Sequence, residues 1–159
     1  MIQRSAVVVG VGAELGLGTA LSRRFASEGF HVLIAGRTPS KLEQVVTSIL
    51  AAGGSAEAVP MDTTSEADVV KLFDRAMAPV SGREAAGLIV YNAGGNQKVV
   101  IDGGIDGERL RSRPEAIRER GEDGLLNIES IAEAYWQIHR QARSAWTHEI
   151  DLRPFKEPF

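Results

Sequence analysis

The sequence predicts an α/β protein with a parallel β-sheet, and two observations support this fold class. In the first 91 residues, four short apolar runs alternate with three segments whose apolar residues recur at three- and four-residue intervals. A glycine-rich turn directly follows the first apolar run. Because parallel strands require crossovers of a dozen or more residues, strands that alternate with helices of this length indicate right-handed βαβ units.

The strands and helices of this half are predicted in chain order. Buried strands are expected at residues 6–9, 31–35, 56–61 and 88–91. The first helix carries apolar residues at helical spacing and ends at Gly29. Thr38 and Pro39 suit the N-cap and first position of the second helix, and residues 65–68 (Ser-Glu-Ala-Asp) match a capping box for the third.

Composition limits the function classes. The chain of 159 residues is 43% hydrophobic and 25% charged, as expected of one soluble domain spanning residues 1–159. A formal charge of -3 favours neither nucleic acid nor an anionic membrane as a partner. The absence of cysteine excludes disulfides and thiolate chemistry and fits a cytoplasmic location. The three histidines show no metal-ligand spacing, so no metal is expected.

The first strand is followed by the stretch GVGAELGLGTAL, which contains Gly12, Gly16 and Gly18. A strand before this turn and a helix after it are the context in which a glycine turn binds phosphate. Gly12 permits a sharp turn, Gly16 leaves room for a pyrophosphate, and Gly18 lets the helix pack closely on the strand. The helix N-terminus adds free N–H groups and a positive dipole end. A tight turn without a ligand is the alternative.

The spacing Gly12-x-x-x-Gly16-x-Gly18 resembles the cofactor turn of the short-chain dehydrogenase/reductase family. Three further stretches fall where that family places them, after the second, third and fourth strands: residues 36–37 (Gly-Arg), 61–63 (Met-Asp-Thr) and 91–94 (Tyr-Asn-Ala-Gly). The resemblance covers residues 5–95. It implies a Rossmann-like doubly wound parallel sheet whose half 5–95 binds a nicotinamide dinucleotide.

The resemblance also implies a set of cofactor-binding residues. These are Gly12, Ala13, Glu14, Leu15, Gly16, Leu17 and Gly18 on the pyrophosphate, Arg37, Asp62 and Thr63 on the adenosine side, and Asn92, Ala93, Gly94 and Ile105 along the cleft. Asp62 is expected to hydrogen-bond the adenine amino group. Arg37 can pair with a 2′-phosphate, which favours NADP(H) over NAD(H), although a solvated loop charge is the alternative. Glu14 replaces a small hydroxyl residue and is unfavourable beside a pyrophosphate unless it points to solvent.

The second half, residues 98–159, resembles the family's C-terminal third. A sixth strand at residues 99–101, with a loop to Ile105, is expected over the nicotinamide. A charged lid at residues 107–124 contains a short helix at 114–120. Asn127 can cap the next helix, whose apolar stripe is Ile128, Ile131, Tyr135 and Ile138. Alternating residues at 146–152 predict a last strand.

Between Gly95 and Lys98 the family carries a catalytic serine and the proton-transfer motif Tyr-x-x-x-Lys, and neither is present here. Tyr91 and Tyr135 are the only tyrosines, and neither has a lysine four residues later. Tyr135 is expected to pack in the core or cleft. No catalytic residue is therefore assigned. A homo-oligomer is implied only if the missing helices exist, since they form the family's usual dimer contact.

The short connection conflicts with a parallel crossover. Five residue steps from Gly94 to Val99 reach at most ~18 Å, about the length of one strand, whereas two βαβ steps correspond to about 60 residues. Three explanations follow: the sequence omits the middle of a longer chain, the protein carries an internal deletion, or the strand at Val99 pairs differently, for example antiparallel to the fourth strand. We favour the first, because a deletion would expose a large apolar face.

The main functional hypothesis is an NAD(P)(H)-dependent oxidoreductase that moves hydride between the nicotinamide and a carbonyl or alcohol substrate. The alternative is a non-catalytic dinucleotide-binding module or an inactive truncated family member. A third hypothesis is a different Rossmann-like nucleotide enzyme such as a methyltransferase, against which Arg37 and residues 92–94 argue.

Overall fold

A parallel four-stranded sheet forms the centre of the molecule. The computed structural model describes residues 2–78, 80–93, 101–102, 112, 114–122 and 124–155. The strands are β1 (Gln3–Val9), β2 (His31–Gly36), β3 (Ser55–Pro60) and β4 (Arg83–Tyr91), in the order β3-β2-β1-β4. All three pairings are parallel, as the alternation of strands and helices predicted.

The fourth strand begins five residues earlier than its apolar run predicted. Its first half pairs with β1 through an irregular register, with shifts between Gln3 and Ser5 and between Ser5 and Ala6. Residues 83–87 carry few apolar side chains, so the sequence pattern did not reveal them as a strand.

Three helices cover the two faces of the sheet: α1 (Leu17–Ser27), α2 (Pro39–Ala51) and α3 (Glu66–Met77). The predicted N-cap positions are correct at both Thr38 and Ser65, and the Ser65 side chain accepts a hydrogen bond from the backbone N–H of Asp68. The Asp68 carboxylate does not close a reciprocal capping box. It accepts instead from the backbone N–H of Asp62, at 3.1 Å.

Alternate residues of each strand enter two separate cores. Ala6, Val8, Val32 and Ile34 pack with α1 and α2 on one face. On the opposite face, the alternate residues of β1 and β2 pack against α3, whose Leu72 and Ala76 are buried. A sheet buried on both faces explains why its strands are continuous apolar runs rather than alternating ones.

The C-terminal half contains β5 (Ile101–Asp102), α4 (Pro114–Arg120), β6 (Leu126–Asn127) and α5 (Ile128–His139). Asn127 caps α5 as predicted, because its side-chain oxygen accepts from the backbone N–H of Ser130 at 2.9 Å. The helix packs on α1, where Trp136 lies against Phe25 and Phe30 with ring centroids 6.5 and 6.3 Å away.

The buried face of α5 differs from the predicted stripe. Ile128 and Ile131 are buried as expected, but Ala132 and Trp136 are the other buried residues, and Tyr135 and Ile138 are half-buried. The contact of Trp136 with Phe25 of α1 and with Phe30, which follows α1, turns this face of the helix inward.

Two strand predictions in the C-terminal half are corrected. Ile101, the last residue of the predicted sixth strand, pairs with β6 in a separate two-stranded sheet and not with a strand of the main sheet. This pairing is parallel, unlike the antiparallel example given among the alternatives. Residues 146–152 form no strand. A strand requires a neighbour with free backbone groups, and the described part of the main sheet ends at β4. The remaining residues of the predicted sixth strand, 99–100, and residues 107–111, 113 and 123 of the predicted lid lie outside the described residues, whereas the short helix predicted at 114–120 is present as α4.

Candidate functional site

The glycine turn lies at the carboxyl edge of the sheet, between the ends of β2 and β4. The backbone N–H groups of Gly10 and Val11 both donate to the carbonyl of Ala35, at 2.9 and 3.0 Å. On the other side, the N–H of Asn92 donates to the carbonyl of Val9 at 2.8 Å. The carboxyl edge of a doubly wound sheet is where such folds bind ligands.

Gly10 makes the turn possible and was not recognised as a key residue in the sequence. Its φ is 96°, a conformation that side chains rarely adopt. A Cβ at Gly10 would also lie 2.6 Å from the backbone nitrogen of Ala93. The sharp bend predicted at Gly12 therefore starts two residues earlier, and the available signal was a glycine directly after a buried strand.

Two further glycines bring the surrounding backbone into close contact. A Cβ at Gly18 would lie 2.9 Å from the carbonyl oxygen of Gly10, so the predicted close approach of α1 to the strand is confirmed. A Cβ at Gly36 would lie only 2.1 Å from the carbonyl oxygen of Val11. Gly36 thus holds the end of β2 against the turn, a role that the sequence did not indicate.

The turn that precedes α1 borders open space at Gly12. Among the described residues, no atom lies within 4 Å of the position that a Cβ would take at Gly12. Gly16 is the N-cap and offers no side-chain cap hydrogen bond. The buried hydroxyl of Thr19 donates to the carbonyl of Ala13 at 2.8 Å and fixes the turn from the side of the helix. This open, uncapped helix N-terminus fits a pyrophosphate.

The Glu14 side chain points to solvent, as compatibility with a pyrophosphate requires. Its side chain is 71% exposed, and Oε1 lies 3.8 Å from Nη2 of Arg23. Leu15 is also exposed, whereas Leu17 is half-buried and packs against the core.

The predicted adenosine side brings Arg37 and Asp62 into electrostatic contact. Oδ1 of Asp62 accepts from the N–H and the hydroxyl of Thr64, at 2.9 and 2.8 Å. These hydrogen bonds, backbone first, lower the pKa of Asp62, and the nearby charge of Arg37 lowers it further. Arg37 is exposed and makes no hydrogen bond or ion pair within the described residues. Thr63 is half-buried beside them.

The end of β4 supplies Asn92 and Ala93. The Asn92 amide donates to the carbonyl of Gly10 at 3.5 Å, and Ala93 packs against the core on the α3 face. The structure therefore brings residues 12–18, 92 and 93 to one edge of the sheet. Gly94 and Ile105, which the resemblance also implied, lie outside the described residues.

An apolar cavity of about 520 Å³ lies between β4 and α5. Its lining includes Leu17 next to the glycine turn, Tyr91 at the end of β4, and Tyr135 on α5. Tyr135 also packs against the core, as predicted, and Tyr91 is 66% exposed. Neither tyrosine has a lysine four residues later.

The parallel sheet, the alternating helices and the glycine turn define a Rossmann-type α/β domain. The family model for short chain dehydrogenases matches residues 6–106. The chain belongs to the short-chain dehydrogenase family.

Known proteins and solved structures resemble this chain over different lengths. An uncharacterized oxidoreductase, YuxG of Bacillus subtilis (strain 168), is 38% identical over 136 residues, 84% of this chain and 17% of that protein. The 2,3-dihydro-2,3-dihydroxybenzoate dehydrogenase of the same organism is 39% identical over 72 residues, 43% of this chain and 28% of that protein. The chain thus spans less than a third of the length of these relatives.

The crystal structure of a short-chain dehydrogenase from Rhodopseudomonas palustris superposes with a TM-score of 0.67 at 22% identity, covering 96% of this chain and 99% of that chain. This likeness shows the fold. Among the described residues, no helix has both the length and the apolar character needed to cross a membrane.

Proposed function

We propose that the protein is a nicotinamide-dependent oxidoreductase that transfers hydride between its cofactor and a small carbonyl or alcohol substrate. The observation that carries this proposal is the open glycine turn at the N-terminus of α1, flanked by the backbone of Gly10 and Asn92. The bound cofactor supplies the hydride chemistry. The chain's own residues bind and orient it.

Each part of the turn has a separate task in this proposal. The N–H groups at the start of α1 hold the pyrophosphate, and the space beside Gly12 admits it. Asp62 keeps its carboxylate ionised, and its Oδ2 makes no hydrogen bond within the described residues, so it can accept from the adenine amino group. Asn92 and Ala93 line the cleft, and Gly94 and Ile105 belong to the same proposed set.

NADP(H) is the proposed cofactor in preference to NAD(H). Arg37 follows β2 directly, is exposed, and has no carboxylate within ion-pair distance among the described residues. An exposed guanidinium at this edge suits a 2′-phosphate, whereas an acidic residue is the better partner for a ribose hydroxyl.

The cofactor preference is tested by titrating NADPH and NADH against the nicotinamide fluorescence. Arg37→Gln is expected to weaken NADPH binding about 10- to 100-fold, the loss of a charge-assisted contact worth about 1.5–3 kcal/mol, and to leave NADH unchanged. Arg143→Gln, which removes an exposed arginine after α5, serves as the control for net charge. Equal weakening of both cofactors by Arg37→Gln would contradict the preference.

The residues for proton transfer are proposed to lie in a chain segment that this sequence omits between Gly95 and Lys98. The two relatives described above are several times longer than the regions they share with this chain, and β4 lacks an outer neighbour in the described sheet. An intact mass above 17.1 kDa by about 6–7 kDa would agree with two further βαβ steps. A mass of 17.1 kDa would favour the non-catalytic module.

A dinucleotide-binding module without catalysis is the second candidate, because no tyrosine–lysine pair is present. Binding of NADPH without turnover on a panel of carbonyl substrates would support it. Failure to bind either dinucleotide would instead favour the hypothesis of a different Rossmann-like nucleotide enzyme. A cytoplasmic location and, where the omitted helices exist, a homo-oligomer complete the proposal.

A further inference from the structure

We propose that Glu14 weakens the affinity of the glycine turn for the cofactor pyrophosphate, and that Arg23 limits this effect by holding the Glu14 carboxylate away from the turn. The inference rests on the proposed function, since it assigns the turn to a dinucleotide. It concerns the affinity for the pyrophosphate, which NADPH and NADH have in common.

Glu14 places a negative charge within the turn itself. It lies between Gly12, where the backbone borders open space, and Gly16, the N-cap of α1. The N–H groups and the positive dipole end at this N-terminus attract any anion. A carboxylate on the same turn therefore repels a pyrophosphate, even though the side chain points to solvent.

Arg23 is positioned to draw that carboxylate outward. Its Nε and Nη2 lie 3.4 and 3.3 Å from the hydroxyl oxygen of Ser48 on α2. The Ser48 hydroxyl donates to the carbonyl of Val45 at 2.9 Å, so Arg23 is tied to the neighbouring helix. From there, its Nη2 reaches to 3.8 Å from Glu14 Oε1.

The ion pair is partly exposed, so the effect of each charge is modest. The Arg23 side chain is 37% exposed and that of Glu14 is 71% exposed. Solvent and salt screen charges of this kind, and the Debye length is about 8 Å at physiological ionic strength. Neutralising Glu14 is therefore expected to change anion affinity by about three- to tenfold, and by less in high salt.

The test uses two probes, inorganic pyrophosphate and NADPH, with NADH alongside. Pyrophosphate binding is followed by the chemical shifts of the backbone amides of residues 16–18, and dinucleotide binding by fluorescence. Glu14→Gln is expected to raise the affinity for pyrophosphate, NADPH and NADH by the same factor of about three to ten. Glu43→Gln, which removes an exposed carboxylate from α2, is the matched control and is expected to change none of them.

Arg23 is tested as a positioning residue through its dependence on Glu14. Arg23→Gln is expected to lower pyrophosphate affinity about threefold, whereas Arg23→Lys, which keeps the positive charge, is expected to retain the original affinity. In the Glu14→Gln background, Arg23→Gln is expected to have no further effect. A purely structural role for Arg23 would lower affinity equally in both backgrounds.

The outcomes separate this inference from the proposed function. Tighter pyrophosphate binding by Glu14→Gln, with no NADPH or NADH binding, would support the inference and overturn the proposed function. NADPH binding that Glu14→Gln leaves unchanged would overturn the inference alone. Absence of pyrophosphate and dinucleotide binding in both proteins would overturn both.

Discussion

At the scale of single residues, an unusual charged cluster lies at the opposite end of the sheet from the glycine turn. The buried His31 has Nδ1 2.7 Å from the Ser55 hydroxyl, and Nε2 3.4 Å from Glu57 Oε1 without hydrogen-bond geometry. Arg75 and Arg83 also contact Glu57, at 2.6 and 3.7 Å. Burial and then the charge of Arg83 lower the pKa of His31, although Glu57 opposes them.

The pKa of Glu57 moves in the direction that keeps the carboxylate charged. Burial acts to raise it, but the hydrogen bond and charge of Arg75 and the contact with His31 together lower it. Its stabilising contribution is thus present above the ordinary pKa and is lost only in strong acid, as the pH falls through the lowered value. His31 is the other titratable side chain at the centre of this cluster, and burial, which lowers its pKa, favours the uncharged ring.

This cluster predicts that mild acid destabilises the protein. In the unfolded chain a histidine binds its proton near pH ~6.5, whereas folded His31 resists protonation, so falling pH favours unfolding. Each such histidine contributes a slope of up to about 1.4 kcal/mol per pH unit. The free energy of unfolding in urea is expected to decrease from pH 7.5 to 5.5, and less steeply in His31→Gln.

His139, whose pKa is also lowered by burial and by Arg4, contributes the slope that remains in that variant. His148 is exposed, so His148→Gln is the matched control and is expected to retain the full slope. An unchanged slope in His31→Gln would show that His31 takes up its proton equally in both states.

At the scale of helices and strands, the sequence predicts those features that depend on local apolar patterns and on capping residues. The helix starts at Thr38 and Ser65 follow from residue type, and the parallel strands follow from apolar runs. Pairing depends on distant partners instead. The alternation at residues 146–152 has the pattern of a strand but no partner among the described strands. The pair β5–β6 joins Ile101, the end of a predicted strand, to Leu126, which no pattern marked as a strand.

In the candidate site, too, the sequence predicts the features that are local and not those that depend on distant residues. The spacing of Gly12, Gly16 and Gly18 indicated a phosphate turn, because that spacing is local. The roles of Gly10 and Gly36 depend on backbone atoms of Asn92, Ala93 and Val11, which only the folded sheet brings near.

Two glycine substitutions at the turn are expected to differ in their effects on stability and on NADPH binding. Gly36→Ala is expected to destabilise the protein by about 1–3 kcal/mol, because its Cβ would lie 2.1 Å from the Val11 carbonyl oxygen and the two backbones must separate. Gly12→Ala is expected to leave stability within about 0.5 kcal/mol, since no atom lies within 4 Å of its Cβ position. Its methyl group instead enters the space proposed for the pyrophosphate and weakens NADPH binding.

Urea unfolding and NADPH titration of both variants check this prediction. Gly87→Ala, on β4 and also free of atoms within 4 Å, is the control for adding a methyl group elsewhere. Normal stability of Gly36→Ala would contradict the close contact at Val11, and unchanged NADPH affinity of Gly12→Ala would contradict the assignment of the space beside it.

At the scale of the whole molecule, the last strand of the described sheet exposes apolar side chains. Ile89 is 47% exposed, and it pairs with Val7, whose side chain belongs to the core on the α3 face. Tyr91, two residues later on β4, is 66% exposed. An unpaired sheet edge with apolar neighbours is a site of association unless other chain covers it. The apolar face expected from a missing central segment is therefore present.

The exposed edge predicts that the 159-residue chain, produced as it stands, self-associates through β4. Ile89→Lys is expected to reduce this association, measured by light scattering across a range of protein concentrations, because a charge at an open edge opposes strand pairing. Leu50→Lys is the matched control, since Leu50 is 54% exposed on α2, away from β4, and its substitution is expected to leave association unchanged. A monomer at all concentrations without any substitution would mean that the β4 edge is already covered within the chain. Residues 99–100, predicted from the sequence to belong to a strand, would then be the first to examine as that cover, and an omitted middle segment would no longer be needed to explain how the sheet ends.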